Sequence, residues 1–392
     1  MTDEALYLAQ TDTGRPPEGM ADLVEALARL DRRTTSPGER RSAELLAARL
    51  AEAGARQVDI TEFRGQSSWV PMHLGHLAAA AIIGLLPGPL ARLAAVAVAV
   101  SYESEVSGRN QWLRRLLPAG RGASVSARIP AHGVPRRALL LIAHHDAAHN
   151  GLVWHPKTIA LNRFRSRRTG RAVPSHLPAL AAIVAAALPG AVPRRASGLA
   201  SAALALVMIQ SLRSPTTPGA NDNATGVAAA VELARRLHAD PLAETEVVIL
   251  LPGGEEAGNA GMRAWLRRHR DRFDPAHTLA IGLDSLGSGG HLVVARREGL
   301  TGWMAERDVA AAQRIATRSG IALPAVTFPN VCDTSIAKQA GMRAISLLSY
   351  DRGWIRHLHL RADTADSIGW NTVTDAIELT EGLARAWDRG GL

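Results

Sequence analysis

The chain has 392 residues, a net charge of +9 at pH 7, 47% hydrophobic and 21% charged residues, which is ample for a large buried core and excludes a disordered chain. Its single cysteine, Cys332, excludes an internal disulfide and any paired-cysteine metal site, so a metal centre would have to use His, Asp and Glu. The positive charge is almost all arginine, crowded into residues 109–137 and 163–171 beside two long Ala/Leu/Val stretches with no nucleic-acid-binding signature, and it reads as charge flanking a lipid bilayer, with no nucleic acid as partner.

The first twenty residues are polar and acidic, without a basic segment leading into an apolar one, and do not read as a secretory signal. Apolar residues then recur at helical spacing over 20–30 and 38–53, with Gly54 as a C-cap, and a strand is expected over 57–63. From 77 to 100 the chain becomes LAAAAIIGLLPGPLARLAAVAVAV, two apolar legs around Pro87-Gly88-Pro89, each only about half of the ~20 residues that span a bilayer. The first leg extends back to Val70 through His73 and His76; the second, ending at Tyr102, stays short. Residues 173–212 repeat the design, with legs over 177–188 and 198–212 around a turn from Pro189-Gly190 to Pro193-Arg194-Arg195. Runs this pure lack the polar face of a surface helix, so both are read as apolar helical hairpins in a membrane rather than Ala-rich helices of a soluble core.

Between and after the hairpins, strands over 124–129, 138–143, 247–251, 278–283 and 344–348 alternate with helices over 227–237, 306–318 and 372–387. This predicts an α/β fold with a mostly parallel or mixed central sheet flanked by helices, into which the two hairpins are inserted. The expected division is 1–69 (first part of a catalytic domain), 70–102 (hairpin), 103–172 (catalytic), 173–213 (hairpin) and 214–392 (catalytic). Ligands of such sheets sit beyond the carboxyl ends of the strands.

Those ends carry the candidate chemistry. The strand over 138–143 runs into His144-His145-Asp146, where alternation puts His144 and Asp146 on one side and His145 on the other. The segment Gly219-Ala220-Asn221-Asp222-Asn223-Ala224-Thr225-Gly226 opens a helix and, by spacing alone, is a capping turn. After the strand over 247–251 comes Gly253-Gly254-Glu255-Glu256, two adjacent carboxylates that are costly to bury without a cation. Asp284 ends the next strand, and His357-Leu358-His359 precedes Asp363-Thr364.

The ordered series HxD, GANDNATG, GGEExG, LDSLG and HxxxDT resembles peptidase family M28, the zinc aminopeptidases, whose usual forms are AHxDS, GANDNASG, EEGLLG-type, NxDMxG and HTxxDT. The resemblance runs from about residue 21 to the C-terminal helix, leaving out the hairpins. It implies two Zn2+ ions, or other divalent ions, about 3.5 Å apart. Asp222 would bridge them, with His144 and Asp284 completing one set of ligands and Glu256 and His359 the other. Glu255 would be the general base that activates a metal-bound water and passes its proton to the leaving amine. Asp146 would orient His144, and Asp363 would support His359. His359 is preferred to His357 for its spacing to Asp363, although both lie on one face of an extended segment. His145, His149, His155 and His176 are read as polar surface.

The family's SDH-type segment is Cys332-Asp333-Thr334 here, which bears on substrate preference. Tyr350, Trp354 and Arg356 are candidates for polarising the scissile carbonyl or gripping a substrate carboxylate. The expected function is a membrane-associated dinuclear zinc aminopeptidase acting on peptides. The alternatives are an inactive membrane scaffold of the same fold and a single-zinc acyltransferase like the glutaminyl cyclases. Since His144 precedes the second hairpin and Asp222 follows it, each hairpin crosses an even number of times or dips and returns. Arg114, Arg115, Arg167 and Arg168, against Arg194 and Arg195, place the catalytic side in the cytoplasm.

Overall fold

The computed structural model describes Gly14 and residues 16–392, so most of the segment judged not to be a secretory signal lies outside the described residues. Helices α1 (Met20–Ala28) and α2 (Pro37–Glu52) come first; α2 starts where the Ser36 side chain accepts the Glu39 amide and Pro37 occupies the first turn. Strand β1 (Arg56–Gly65) leads to the first hairpin, α3 (Val70–Leu85) and α4 (Pro89–Val106), then α5 (Trp112–Leu116), β2 (Gly120–Ile129) and β3 (Arg137–Ile142). After β3 come α6 (Ala160–Thr169) and the second hairpin, α7 (Leu177–Ala185) and α8 (Ala191–Leu212). The rest is α9 (Gly226–Ala239), β4 (Thr245–Leu251), α10 (Ala260–His269), β5 (Thr278–Leu283), β6 (His291–Glu298), β7 (Gly302–Trp303), α11 (Glu306–Arg318), β8 (Ala325–Phe328), α12 (Asp333–Gln339), β9 (Arg343–Tyr350) and α13 (Trp370–Asp388).

One mixed sheet runs in the order β1-β2-β4-β3-β5-β9-β6-β7, with β8 against β6. Its middle, β4-β3-β5-β9, is parallel, while β2 joins antiparallel on one side and β6 on the other. Strand alternation divides the core. Leu139, Leu141 and Ala143 join the face covered by α1, α2, α9, α11 and α13, whereas Ala138, Leu140 and Ile142 face α10 and α12. Burial on both faces explains the continuous apolar runs in β3, β4 and β5.

The hairpins pack together as a four-helix cluster with large apolar residues on its outer surface as well as in its core. Its interior holds small side chains such as Ala80, Ala95, Ser197 and Ser201 beside larger buried ones, Leu77, Tyr102 and Ile183. Leu85, Leu90, Leu93, Val192, Leu199 and Leu206 point outward, with Leu90 and Val192 81% and 80% exposed. At Gly84 a Cβ would lie 2.8 Å from the Arg194 carbonyl oxygen, so α3 and α8 approach closely only because a glycine stands there. Helix α8, 22 residues long, is long and apolar enough to cross a membrane by length and composition. The second leg of the first hairpin does not stop at Tyr102; α4 continues to Val106 and carries the carboxylates of Glu103 and Glu105, which meet Thr301 and Arg114. Glu103 accepts hydrogen bonds from Thr301 at 3.0 Å and lies 2.8 Å from His176 Nε2, tying both hairpins to the loop after β6.

Two expectations fail on burial. His145, His149 and His176 are buried rather than surface residues, while His155 is exposed as expected. Arg114 is buried too: its guanidinium bonds the Ala257 carbonyl and lies 3.7 Å from buried Glu105, so it cannot count as charge facing a bilayer.

Candidate metal centre

Six of the residues singled out in the sequence converge beyond the carboxyl ends of the parallel strands. β3 delivers His144, β4 the pair Glu255 and Glu256, β5 Asp284, and the turn before α9 Asp222; His359 comes from the segment after β9. The ligand atoms of His144, Asp222 and Asp284 lie within 4.8 Å of one another, and so do those of Asp222, Glu256 and His359. Asp222 is common to both sets. Its Oδ1 lies 3.4 Å from His144 Nε2 and its Oδ2 3.0 Å from His359 Nε2, which is itself 3.3 Å from Glu256 Oε2. A third grouping, His144 with Glu255 and Glu256, meets the same distance limit but omits Asp222 and Asp284.

The loops are held by residues whose neighbours explain them. Asp146 accepts the backbone amides of Glu255 and Glu256, at 3.1 and 3.2 Å, and the Thr34 hydroxyl at 2.6 Å. Its distance to His144 Nδ1 is 3.5 Å, longer than a hydrogen bond, so Asp146 acts mainly as the anchor of the Glu255-Glu256 loop. Gly254, at φ 70°, turns this loop where a Cβ would meet the Phe63 ring at 2.8 Å.

The segment 219–226 is more than a cap. Asn223 Oδ1 does accept the Gly226 amide at 3.1 Å, but it also accepts the Ser285 amide at 3.1 Å, while its amide group donates to the Leu283 carbonyl. Asn221 Oδ1 accepts the Gly287 amide at 2.6 Å. The two asparagines thus lock Asp222 against the strand end that carries Asp284; the Asp222–Asn223 peptide is cis. Asp363 does not support His359. Its carboxylate accepts the amides of Asn221 and Asp222 at 2.7 and 3.0 Å, and burial, with Asp222 nearby, pushes it up to about 7.

His357 and His359 have φ of 57° and 54°, so the segment is a turn and strand alternation does not apply to it. Only His359 reaches the cluster, where the Trp154 ring meets it edge-on at 4.2 Å. Asp284 takes hydrogen bonds from the Ser285 hydroxyl at 2.8 Å and from the Cys332 thiol at 3.3 Å. Thr334, which stands where the family pattern has His, packs its hydroxyl against Gly282 of β5 instead of the cavity. Of the three substrate-facing candidates, Trp354 lines the cavity; Tyr350 is buried away from it, and Arg356 is tied to Asp351 and the Ser367 carbonyl.

Several residues here carry no sequence signal. Arg32, fully buried in the turn before α2, donates to the carbonyls of His145, Pro218 and Gly219 and so stitches the first two loops together; burial lowers its guanidinium to about 10. Asn259 donates to Glu255 Oε1 at 3.3 Å and to Asp333 Oδ1 at 3.1 Å. A lone Arg or Asn in a loop looks like any other until its partners are known.

The electrostatics are those of a crowd of acids. Burial, and then their mutual repulsion, raises the carboxyls of Glu255, Glu256 and Asp284. Burial alone would lower His144 and His359, but Asp222, Glu256 and their acidic neighbours outweigh it and hold both imidazoles well above their ordinary value. Glu256 Oε1 is buried without a hydrogen-bond donor. Three carboxylates and two imidazoles with oxygens to spare are a donor set suited to divalent cations, and to zinc in particular among nitrogen and oxygen sites.

Residues 207–383 match the family model of peptidase family M28. Among curated proteins none matches in sequence. Solved structures share the fold along nearly the whole chain. An aminopeptidase from Aneurinibacillus sp. strain AM-1 superposes with a TM-score of 0.57 at 15% identity, covering 96% of this chain and 94% of its own. A zinc aminopeptidase from Bacillus subtilis gives 0.56 at 13% identity, with 95% and 96% covered. A glutaminyl cyclase from Tannerella forsythia gives 0.56 at 14%, with 94% and 97% covered. At these identities the likeness speaks for the fold, a central mixed sheet flanked by helices.

Proposed function

The chain is an M28 family zinc aminopeptidase-like protein, and on that premise we propose that it is a membrane-associated aminopeptidase with a two-zinc centre. The observation that carries this reading is the geometry of Asp222, whose two oxygens face two different histidines and which belongs to both ligand sets. In this assignment Asp222 bridges, His144 and Asp284 hold one ion, and Glu256 and His359 hold the other. Glu255 is left outside both sets. The ions, when bound, supply Lewis acidity toward the scissile carbonyl and the attacking water.

The chain's own groups then do the following. Glu255 takes a proton from the water as its oxygen bonds to the carbonyl carbon, and delivers that proton to the amine nitrogen as the C–N bond breaks. Asn259 holds Glu255 Oε1, and Asp146, through the amides of Glu255 and Glu256, fixes base and ligand relative to each other. The donor set and the family support peptide hydrolysis; the cyclase neighbours keep a single-zinc acyl transfer as the competing reading.

Membrane association is supported by the outer surface of the hairpin cluster. Leu85, Leu90, Leu93, Val192, Leu199 and Leu206 stand exposed there, the kind of surface that lipid, not water, covers, while small residues such as Gly84, Ser197 and Ser201 let the helices approach closely. With 16 and 9 residues, α3 and α7 are about 24 and 14 Å long, short of the ~30 Å hydrocarbon layer, whereas α8 reaches it. We place the catalytic part on one face with the exposed arginines of α6, on the cytoplasmic side by the positive-inside tendency.

Metal analysis with turnover of aminoacyl-fluorogenic substrates tests the reading. Protein purified without chelator is expected to carry close to two zinc equivalents and to release N-terminal residues, and Asp222→Ala to lose both metals because it removes the shared ligand. A single tight metal with no second site on titration would favour the cyclase-like reading. Two metals without turnover of any peptide would favour an inactive scaffold.

A further inference from the structure

One cavity of about 830 Å³ opens from the candidate centre, and two of its features have no part in the catalysis described above. Its walls beyond the centre are mostly apolar, with Met72, Val106, Trp154, Met208, Phe328 and Val331 among them. Its mouth is edged by α6. Leu161, Phe164, Arg165 and Arg168 of that helix all line the cavity, at positions i, i+3, i+4 and i+7, which fall on one helical face. Leu161 and Phe164 nevertheless remain 79% and 57% exposed, so this face lies at the rim and not under a lid.

Charge around the cavity is one-sided. The acids lining it are Asp222, Glu255, Glu256 and Asp284, all in the candidate centre, while Arg114, Arg165 and Arg168 line the rest. Arg114 is already engaged by the Ala257 carbonyl and Glu105. Arg165 Nε donates to the Arg171 carbonyl, and the Arg168 guanidinium stacks 5.1 Å over the Phe164 ring; among the described residues neither has a carboxylate partner. Two guanidiniums held by neutral contacts line the mouth of a mostly apolar cleft and have no carboxylate acceptor there.

Resting on the aminopeptidase reading, we propose that the cleft takes peptides with an apolar residue at the scissile bond and an acidic group farther along, gripped by Arg165 and Arg168. A carboxylate from either an acidic side chain or the peptide's own C-terminus supplies the acceptor. Amidating that terminus in the test peptides separates the two sources.

The experiment uses the full chain in detergent, loaded with zinc, and peptides of equal length that start with two leucines and continue with Glu, Gln or Arg. The expected result is a kcat/KM about tenfold higher for Glu than for Arg, the scale of two partly exposed ion pairs, flattened in 1 M salt. The ratio is expected to invert in Arg165→Glu/Arg168→Glu and to level in Arg165→Gln/Arg168→Gln. Leucyl-p-nitroanilide with the unmodified protein reports whether the site hydrolyses at all, and anisotropy of the labelled peptides reports binding without turnover. No turnover with acidic peptides still bound more tightly would sink the proposed reaction and uphold this inference. Hydrolysis with equal rates for all three peptides, in both double variants as well, would overturn the inference alone. So would equal rates together with binding to phosphatidylglycerol vesicles that the Glu variant abolishes, because the arginines would then serve a lipid surface.

Discussion

Glu255 and Glu256 are neighbours in one loop, share an anchor in Asp146, and are assigned different work. Glu256 lies 3.3 Å from His359 in a set that includes Asp222, whereas Glu255 is held by Asn259. Glu255→Gln is therefore expected to keep its metal while kcat falls by at least about 10²–10⁴-fold, and Glu256→Gln to lose metal affinity as well. Metal content and single-turnover rates on both variants check this, and the opposite pattern reverses the assignment. His145 offers a prediction about stability. It is buried between the Ser42 hydroxyl, 2.7 Å away, and the Ala123 carbonyl, 2.9 Å away, and burial lowers its imidazole from 6.5 to about 4. Above pH 6.5 the ring is neutral both folded and unfolded. As pH falls from 6.5 toward 4 only the unfolded chain takes up the proton, so stability drops by about 3 kcal/mol over that window. Denaturant unfolding of the chelated protein across this range, compared with His145→Gln, isolates that slope; parallel curves would mean that the ring titrates normally.

Among the elements, the helices and strands with clear periodicity were legible: α1, α2, β3, β4, β5, α11 and α13 lie where spacing puts them. β6 and β8 were missed. β6 ends in Ala295-Arg296-Arg297-Glu298 and β8 is four residues long, so neither shows a long apolar or alternating run. α10 was missed as well, although its arginines lie opposite a buried stripe of Met262 and Trp265. The hairpins were legible as apolar turns of chain, but not the pairing of the two into one cluster, because small residues such as Gly84 and Ser197 reveal nothing until a partner helix lies against them. If that cluster sits in lipid, a cysteine placed at Leu86, in the first turn, is expected to react with an impermeant maleimide from the side opposite the catalytic part when the hairpin crosses fully. It should stay protected when the hairpin dips and returns. The native Cys332 is buried, so it gives little background.

The candidate site was legible to the extent that loop chemistry is local. The HxD and GGEE segments could be set at strand ends and GANDNATG at a helix start from the sequence, and the structure brings their acids and imidazoles together. The sequence preferred His359 to His357 by its spacing to Asp363, and a turn with two left-handed residues, not an extended segment, is what brings His359 alone to the cluster. Arg32, Thr34 and Asn259 needed the whole molecule, as each acts on a loop far away in sequence. At this scale the exposed leucines and valines of the hairpins predict that the protein sediments with membranes and stays there through carbonate extraction. Recovery in the soluble fraction without detergent would turn the cluster into a helical cover of the catalytic part.

The strand order sets a schedule for the growing chain. β4 lies between β2 and β3, yet it is made after both and after the entire second hairpin. When β2 and β3 have been synthesised, β2 can pair with β1 alone, and both sheet neighbours of β3, β4 and β5, are still to come. Three strand edges, one of β2 and both of β3, must therefore wait, unpaired, for more than a hundred residues of further synthesis, the situation in which nascent chains associate wrongly. The first hairpin is already complete at that stage, so early capture of its apolar surface by a bilayer would park the unfinished sheet apart from other chains until the wedge strand arrives.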